Sequence, residues 1–591
     1  MKAELIELVR SALTFLHPAL AQTPFTVENT KNPAHGDLAC NVAMLCAKAA
    51  GQNPREFAAT LIAAIPANNL IEKTEIAGPG FINFFVRAAG KTAPVAQVLS
   101  QGERYGSSDV GRGLKLTVEY VSANPTGPLH VGHGRGAAYG SSLTNILEAA
   151  GFNVQREYYV NDYGRQMDIM ASSLWLRYMA ACGQELRFPD NGYRGSYVTD
   201  IAVALKAAHA DLYVRDTSAV LVDLPPDESQ TDVAGEPGDK DRHVDAVVAG
   251  VKSLLGAASY RALYDFALER LQAAIKAELL AFKVHHDLWF SERSLAESGA
   301  IEQAIAHLET RGEMLRKDGA LWFMATKYGD EKDRVVQREN GASTYFASDI
   351  AYLKNKFDRG FEHAIYVLGA DHHGYIARLK AAATGLGIDP NRVEISLVQF
   401  ARLFKDGQEV AMGKRSGLFV TLSDLRNEVG TDAARFFYVM RSHEQHLDFD
   451  MELAKKQSAD NPVYYVQYAH ARICRVFERL IERSLPAFDQ ALGLANLNLL
   501  TDARELDLIT QLGLFPEIIA KSATERAPHK IANYLRELSA QLHGVYDAPP
   551  RLEILSTDDA LRNARLALMA ATRQVLRNGL KLLGVSAPDK M

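Results

Sequence analysis

Apolar residues recur at helical spacing from Leu5 to Leu16 and again from Asn41 to Lys48, which predicts two helices near the start of the chain. Asn53-Pro54 opens another, running from Arg55 to Ile65. After the turn Gly78-Pro79-Gly80 the pattern becomes that of a strand, Phe81 to Val86. Residues 1–105 thus read as a small α/β module, and the Gly- and Ser-rich stretch Tyr105 to Gly113 reads as a linker.

Leu114 to Val121 is rich in β-branched residues and predicts a strand. A Pro/Gly turn follows, then a helix from Gly134 to Ala150 ended by Gly151, then a second strand, Phe152 to Tyr159. Strand, glycine turn, helix and strand in this order predict a βαβ unit in a parallel sheet. The acidic stretch Leu221 to Arg242, with Pro, Gly and few aromatics, reads as a surface insertion within a wider interruption over 183–256. A long amphipathic helix is expected from Tyr260 to Val284. The sheet resumes at His363 to Leu368, and a strand Val393 to Leu403 leads into the loop Phe404 to Gly417. From Asn461 onward the pattern is nearly all helical. The fold class expected is therefore α/β plus all-α, divided at 1–105, 106–385, 386–460 and 461–591.

A chain of 591 residues is too long for one core. No apolar run is long enough to span a bilayer, and the N-terminus lacks a basic leader, so neither a membrane partner nor a signal peptide is expected. The cysteines Cys40, Cys46, Cys182 and Cys474 are scattered with no Cys-x-x-Cys pair, which argues against disulfides and zinc and fits a reducing cytoplasm. A net charge of -6 argues against indiscriminate nucleic-acid binding. The segment from Asn461 to Met591 is slightly positive, compatible with an RNA surface and equally with an ordinary helical domain.

The run Glu119 to Gly136 carries the chemistry. It contains Ala123-Asn124-Pro125-Thr126-Gly127-Pro128-Leu129-His130-Val131-Gly132-His133, placed where a strand hands over to a helix. Helix N-termini in doubly wound sheets favour phosphate, and glycines let a nucleotide approach the backbone. Two histidines three apart can both donate to phosphates as charge develops on a pentacoordinate phosphorus. The bland alternative is a glycine turn with two solvated histidines; a zinc site is poorly supported, because no further ligand lies at suitable spacing. Ala411-Met412-Gly413-Lys414-Arg415-Ser416-Gly417 adds glycines and cations suited to a leaving pyrophosphate, although Lys-Arg on a loop is ordinarily just solvated charge.

This pair resembles the HIGH and KMSKS motifs of class I aminoacyl-tRNA synthetases, and the whole chain is similar to bacterial arginyl-tRNA synthetases. The likeness extends through His35-Gly36-Asp37, Gly80-Phe81-Ile82-Asn83, Ala370-Asp371-His372-His373-Gly374-Tyr375 and Asn461-Pro462-Val463-Tyr464-Tyr465-Val466-Gln467-Tyr468-Ala469-His470-Ala471-Arg472. Ala411 and Gly413 depart from the KMSKS wording, a degeneracy the family is known for, and only Lys414 keeps the role of the second lysine. The resemblance implies a Rossmann-type catalytic domain, an N-terminal α/β domain that reads the tRNA D-loop, a stem-contact region over 386–460 and a helical anticodon-binding bundle. It implies arginine–tRNA ligase activity on ATP with Mg²⁺, L-arginine and tRNA(Arg), by a monomer, with activation dependent on bound tRNA.

The implied roles fall on numbered positions. Catalysis falls to His130, His133 and Lys414, and ATP binding to those three with Gly132, Gly136 and Met412. Arginine binding falls to Glu119, Asn124, Tyr345, Asp349 and His372. A guanidinium needs a carboxylate, and a buried Glu119 is costly unless paired, which itself favours a cationic ligand. The alternative for Asp349 is a helix N-cap before Ile350, and for Asn124 an Asn-Pro turn. For tRNA the implied contacts are Phe81, Asn83, Tyr468, Arg472, Tyr546 and Met591; otherwise Phe81 is core and the Tyr468/Arg472 pair a helix-surface contact. The rivals are a synthetase for another amino acid, a small nucleotidyltransferase, and an inactive tRNA-binding paralogue. Chain length, the short 183–256 segment and the intact His130, His133 and Lys414 argue against them.

Overall fold

The computed structural model describes residues 2–30, 32–218, 221, 224–231, 237–410 and 420–591. The N-terminal module is a four-stranded antiparallel sheet whose strands lie in the order Val27–Asn29, Leu38–Cys40, Phe81–Val86, Ile71–Ala77. Its helices Lys2–Leu16 and Pro54–Ala64 bury Leu5, Val9, Leu13, Phe57 and Leu61 against Ile82, Phe84 and Val86. Asn53 caps the second helix by accepting from the Arg55 N–H at 2.9 Å, with Pro54 in the first turn where its missing N–H costs nothing.

The central sheet has five parallel strands. In chain order they are Lys115–Glu119, Asn153–Val160, Leu288–Ser291, His363–Gly369 and Val393–Val398. In space the first lies between the second and the fourth, with the third and fifth at the edges, which is the doubly wound 3-2-1-4-5 order. The order reverses between Lys115–Glu119 and His363–Gly369, and ligands bind such sheets beyond the strand ends at that reversal. The helix Val131–Ala149 follows the first strand and packs so closely that a Cβ on Gly140 would lie 2.4 Å from the Tyr120 ring.

The expected strand Val393 to Leu403 is in fact two. Val393–Val398 belongs to the parallel sheet, whereas Ala401–Lys405 pairs with Leu447–Asp450 and Gln408–Glu409 in a separate sheet, the chain turning at Gln399 and Phe400. A break at Gly256 separates two helices between Lys240 and Ala281: the one over 257–281 is the helix expected from Tyr260, and the one over 240–255 before it was not expected. The first three residues of the earlier helix, Lys240 to Arg242, lie in the acidic stretch read as a surface insertion. Part of that stretch is packed: Asp227 is buried, accepts from the Asp190 N–H at 2.7 Å, and faces His243.

The stretch from Tyr105 is not a bare linker at its start. Tyr105 is buried and donates its hydroxyl to the Leu512 carbonyl at 2.9 Å, and Gly106 sits against Phe515 and Ile519. The helix before it, Ala88–Gln101, packs along Ala503–Thr524 and Asp559–Leu582 of the C-terminal bundle, while its start stays against the N-terminal module, with Gly90 close to Val86 and Lys91 paired to Asp37 at 2.8 Å. The end of the bundle is tied to the end of the helix over 257–281 by Arg435, whose buried guanidinium donates to the carbonyls of Leu583 and Phe282. Among the described residues, no helix is long and apolar enough to cross a membrane.

The Gly140 contact gives a stability test. Gly140→Val should overpack the helix on Tyr120 and cost about 1–3 kcal/mol, measured as a lowered denaturant midpoint. An unchanged midpoint would contradict the close packing.

Candidate active site

The turn after Lys115–Glu119 is strained. Val121 has φ 72° and Ser122 φ 39°, left-handed values that are unfavourable for a β-branched residue above all. Hydrogen bonds hold it: Ser122 Oγ donates to Glu119 Oε1 at 3.1 Å and accepts from the Tyr159 N–H, and the Tyr158 hydroxyl donates to the Ala123 carbonyl.

The helix Val131–Ala149 starts three residues earlier than predicted because the histidines themselves cap it. The Gly132 N–H donates to His130 Nδ1 at 3.1 Å, and the His130 N–H donates to His133 Nδ1 at 3.2 Å. The two rings stack with centroids 3.7 Å apart. A neutral imidazole that accepts at Nδ1 carries its proton at Nε2, so the cap sets both rings as Nε2–H donors. Next to them, a Cβ at Gly136 would meet nothing within 4 Å, whereas one at Gly132 would strike the His130 ring. Space beside the helix start is thus open at Gly136.

This turn is tied to the far end of the second motif. Val131 N–H donates to the Val420 carbonyl and Leu422 N–H to the Leu129 carbonyl, forming a bridge between His130 and Thr421. Arg135 is buried and donates to the carbonyls of Gln399, Ser442 and Gln445, and the Tyr438 hydroxyl donates to that of Val131. Met412 and Lys414 lie outside the described residues, but the residue after their loop, Val420, is bonded directly to the histidine turn.

Around Tyr159 lies a cluster of buried carboxylates. The helix Tyr345–Asp358 is capped at Thr344, so Asp349 sits inside it and is no N-cap. Asp349 Oδ2 is out of contact with solvent and has no hydrogen-bond partner. Burial, with Glu292 nearby, pushes its carboxyl up to about 7. Glu292, buried on the short helix Glu292–Glu297, is likewise raised to about 7 by burial. Glu119, Asp349 and Glu292 all act electrostatically on Tyr159. The cation that acts on Asp349 is Arg378, which lies over the Tyr375 ring at 4.6 Å.

Glu119 differs from the expectation. It is buried, but it already has an internal cation: Lys356 Nζ donates to its Oε2 at 2.9 Å. Its burial is therefore no evidence for a cationic ligand. The remaining residues expected at the arginine site are more exposed or bonded elsewhere. Asn124 donates to Gln166 Oε1 at 2.7 Å, Tyr345 is 59% exposed with its hydroxyl above Gly164, and His372 is half exposed with its ring edge-on to Tyr375. The sequence did not single out Glu292 or Lys356. Glu292 looks like an ordinary acidic residue in a first helical turn, and nothing local marks Lys356.

The expected tRNA contacts are spread over two surfaces. Phe81 is exposed at the start of its strand, but Asn83, on the same face in the middle of the sheet, is only 5% exposed. In the bundle, Tyr468 is 41% exposed and stacks between Tyr464 and His543. Arg472 pairs with both oxygens of Asp547, at 2.7 and 2.8 Å, and lies 4.2 Å over the Tyr546 ring. Tyr546 points its hydroxyl inward to Met569 Sδ, so it supports Arg472 from beneath rather than standing on the surface. Met591 is exposed at the edge of a cleft of about 720 Å³ that is also lined by Lys283, Lys455, Lys456 and Tyr464. One grouping that cysteine spacing did not suggest is His470, Cys474 and Asp589, whose donor atoms lie within 4.8 Å of one another. Hydrogen bonds explain it, since Cys474 Sγ donates to Asp589 and His470 Nδ1 meets the Pro588 carbonyl, with Arg577 beside Asp589.

A doubly wound sheet with a histidine-capped helix at the point of reversal, joined to a helical bundle, is the plan of a class I aminoacyl-tRNA synthetase. The family model for "tRNA synthetases class I (R), catalytic domain" matches residues 94–187 and 269–473. "Arginyl tRNA synthetase N terminal domain" matches 3–86, and "DALR anticodon binding domain" matches 466–591. The arginine–tRNA ligase of Thioalkalivibrio sulfidiphilus is 52% identical over 596 residues, covering 100% of both chains. That of Hydrogenovibrio crunogenus is 52% identical over 96% of each. Thermus thermophilus arginyl-tRNA synthetase shares the fold, with TM-score 0.74, 22% identity and 100% of both chains covered. The chain belongs to the arginine–tRNA ligase family.

The two raised carboxyls give a pH dependence of known sign. Asp349 and Glu292 hold protons in the folded protein that the unfolded chain sheds near pH 4, so the ligand-free protein loses stability as pH rises from about 4 to about 7. A guanidinium ligand favours the ionised forms, so thermal stabilisation by L-arginine should increase between about pH 6 and about pH 8. Asp349→Asn should flatten that dependence; a thermal-shift series in which it stays steep would remove Asp349 from the linkage.

Proposed function

We propose that this chain activates L-arginine with ATP to arginyl-adenylate and then transfers the arginyl group to the 3'-terminal adenosine of tRNA(Arg). Asp349 Oδ2, a carboxylate oxygen shut away without a partner, is the observation that carries the reading. Such an atom is costly unless a ligand satisfies it. A guanidinium suits it better than an ammonium, because its planar fork can engage Asp349 and Glu292 together and stays charged in a dry site. Glu119 backs the same pocket. Asn124 receives the α-amino group, and Tyr345 and His372 close the rim.

ATP lies across the start of Val131–Ala149. Its base and ribose pass Gly132 and Gly136, and its phosphates meet the Nε2–H groups of His130 and His133. The arginine carboxylate attacks the α-phosphorus and pyrophosphate leaves. The histidines donate most strongly as negative charge grows on the pentacoordinate phosphorus, which is what accelerates the step. Lys414, with Met412, attends the pyrophosphate, and Mg²⁺ accompanies ATP as its phosphate counter-ion. No protein nucleophile is needed, because positioning and charge stabilisation carry the rate. Phe81 and Asn83 meet the tRNA D-loop, while Tyr468, Arg472 and Met591 meet the anticodon loop with Tyr546 behind Arg472. The enzyme acts as a monomer in the cytoplasm, and bound tRNA completes the site for activation.

Aminoacylation of total tRNA with each of the twenty amino acids tests this directly: arginine alone should be charged. ATP–pyrophosphate exchange should appear with arginine and tRNA together and not with lysine, and exchange with lysine would overturn the pocket assignment. His133→Ala should lower kcat by about 10²–10³-fold while leaving the KM for ATP nearly unchanged. Equal losses in both would mean that His133 serves binding rather than the transition state.

A further inference from the structure

Glu119 is held from behind. Lys356 is 0% exposed; its Nζ donates to Glu119 Oε2 at 2.9 Å and pairs ionically with Glu157 Oε1 at 3.1 Å. The ammonium also lies 4.2 Å from the Tyr352 ring and 4.5 Å from the Tyr366 ring. Glu157 is buried too, and takes Arg359 at 2.7 Å and the Tyr352 hydroxyl. Two carboxylates and two cations therefore balance beneath the pocket, and this set needs no ligand for neutrality. Asp349 and Glu292 above it keep raised carboxyls, and Arg378 acts on Asp349 without a hydrogen bond to its Oδ2.

Stability is a weak reason for burying this network, since ion pairs of this kind are often no more stable than apolar residues of similar size. Its position gives a better one. Glu119 stands opposite Glu157 on one neighbouring strand and opposite Tyr366 on the other, at the C-terminal strand ends where the ligand lies. The helix Tyr345–Asp358 carries Tyr345, Asp349, Tyr352 and Lys356 at i, i+4, i+7 and i+11, which puts them on one stripe. One helical face thus brings both a pocket carboxylate and the ammonium that grips the other. With Lys356 on Oε2 and Ser122 on Oε1, the Glu119 carboxylate has one orientation.

We propose that Lys356 is a positioning residue of the arginine site: by anchoring Glu119 Oε2 it sets the carboxylate edge that the substrate guanidinium meets, without itself touching substrate. This rests on the reading of Glu119 as a substrate ligand.

The test is the arginine- and tRNA-dependent exchange reaction of the full chain, with KM for arginine, KM for ATP and kcat measured across pH for K356M, K356R and E119Q. K356M should raise the arginine KM about tenfold or more while the ATP KM stays within about twofold. Its arginine KM should also acquire a pH dependence, worsening as pH falls, because a buried carboxylate without its cation takes up a proton. K356R should restore most of the loss. A merely structural role would lower melting temperature and active fraction without moving the arginine-to-ATP split or the pH profile, and that result overturns the proposal. If K356M does not fold, K356M/E157Q removes the deeper carboxylate left without its ammonium and is read in the same way. E119Q separates the two ideas. An unchanged arginine KM there removes Glu119 from the site and this proposal with it. A raised KM in E119Q beside an unaltered one in K356M overturns the role of Lys356 alone.

Discussion

Negative charge taken out of water must be matched, and most of the active-site architecture follows from where it is matched and where it is not. Glu119 and Glu157 are neutralised within the protein by Lys356 and Arg359. Asp349 and Glu292 are left with raised carboxyls and an oxygen that bonds to nothing. A layer neutralised within the protein thus lies below one whose carboxyls are raised, and the proposed preference for a cation rests on that contrast.

The second constraint is geometric. The histidine turn and the end of the second motif's loop share backbone hydrogen bonds between Leu129–Val131 and Val420–Leu422. Arg135 adds three carbonyls from two further connections, those at Gln399 and at Ser442 and Gln445. Segments far apart in the chain are thereby fixed around one helix start. The site can then act by presenting dipoles already in place, which is the way a reaction without a protein nucleophile is accelerated.

Much of this was legible in the residues, and the exceptions share a cause. The histidine turn could be read because its chemistry is local, a strand, a glycine turn and a helix within a few residues. The carboxylate Asp349 was singled out through its surrounding wording, but its packing was not legible, since its environment comes from Glu292, Arg378 and Glu119. Burial of Glu119 was anticipated, and its meaning was misjudged, because the compensating Lys356 lies 237 residues further on. No single-residue argument reaches across that distance. The helix Ala88–Gln101 carries Gly90 and Pro94, which mask its periodicity, and Tyr105 looked like part of a linker because Gly and Ser surround it. Tyr546 lay on a helix that faces both the surface and Arg472, and only the packing tells which.

The docking of Ala88–Gln101 and Tyr105 on the C-terminal bundle has a mechanical meaning. The N-terminal module has its own small core, yet the chain that leaves it is bolted to the last helices before it enters the catalytic sheet. First and last parts of the polypeptide therefore share one footing. A swing of the bundle against the sheet would carry the root of the N-terminal module with it, so the two outlying parts behave as the arms of one bracket rather than as separate pendants.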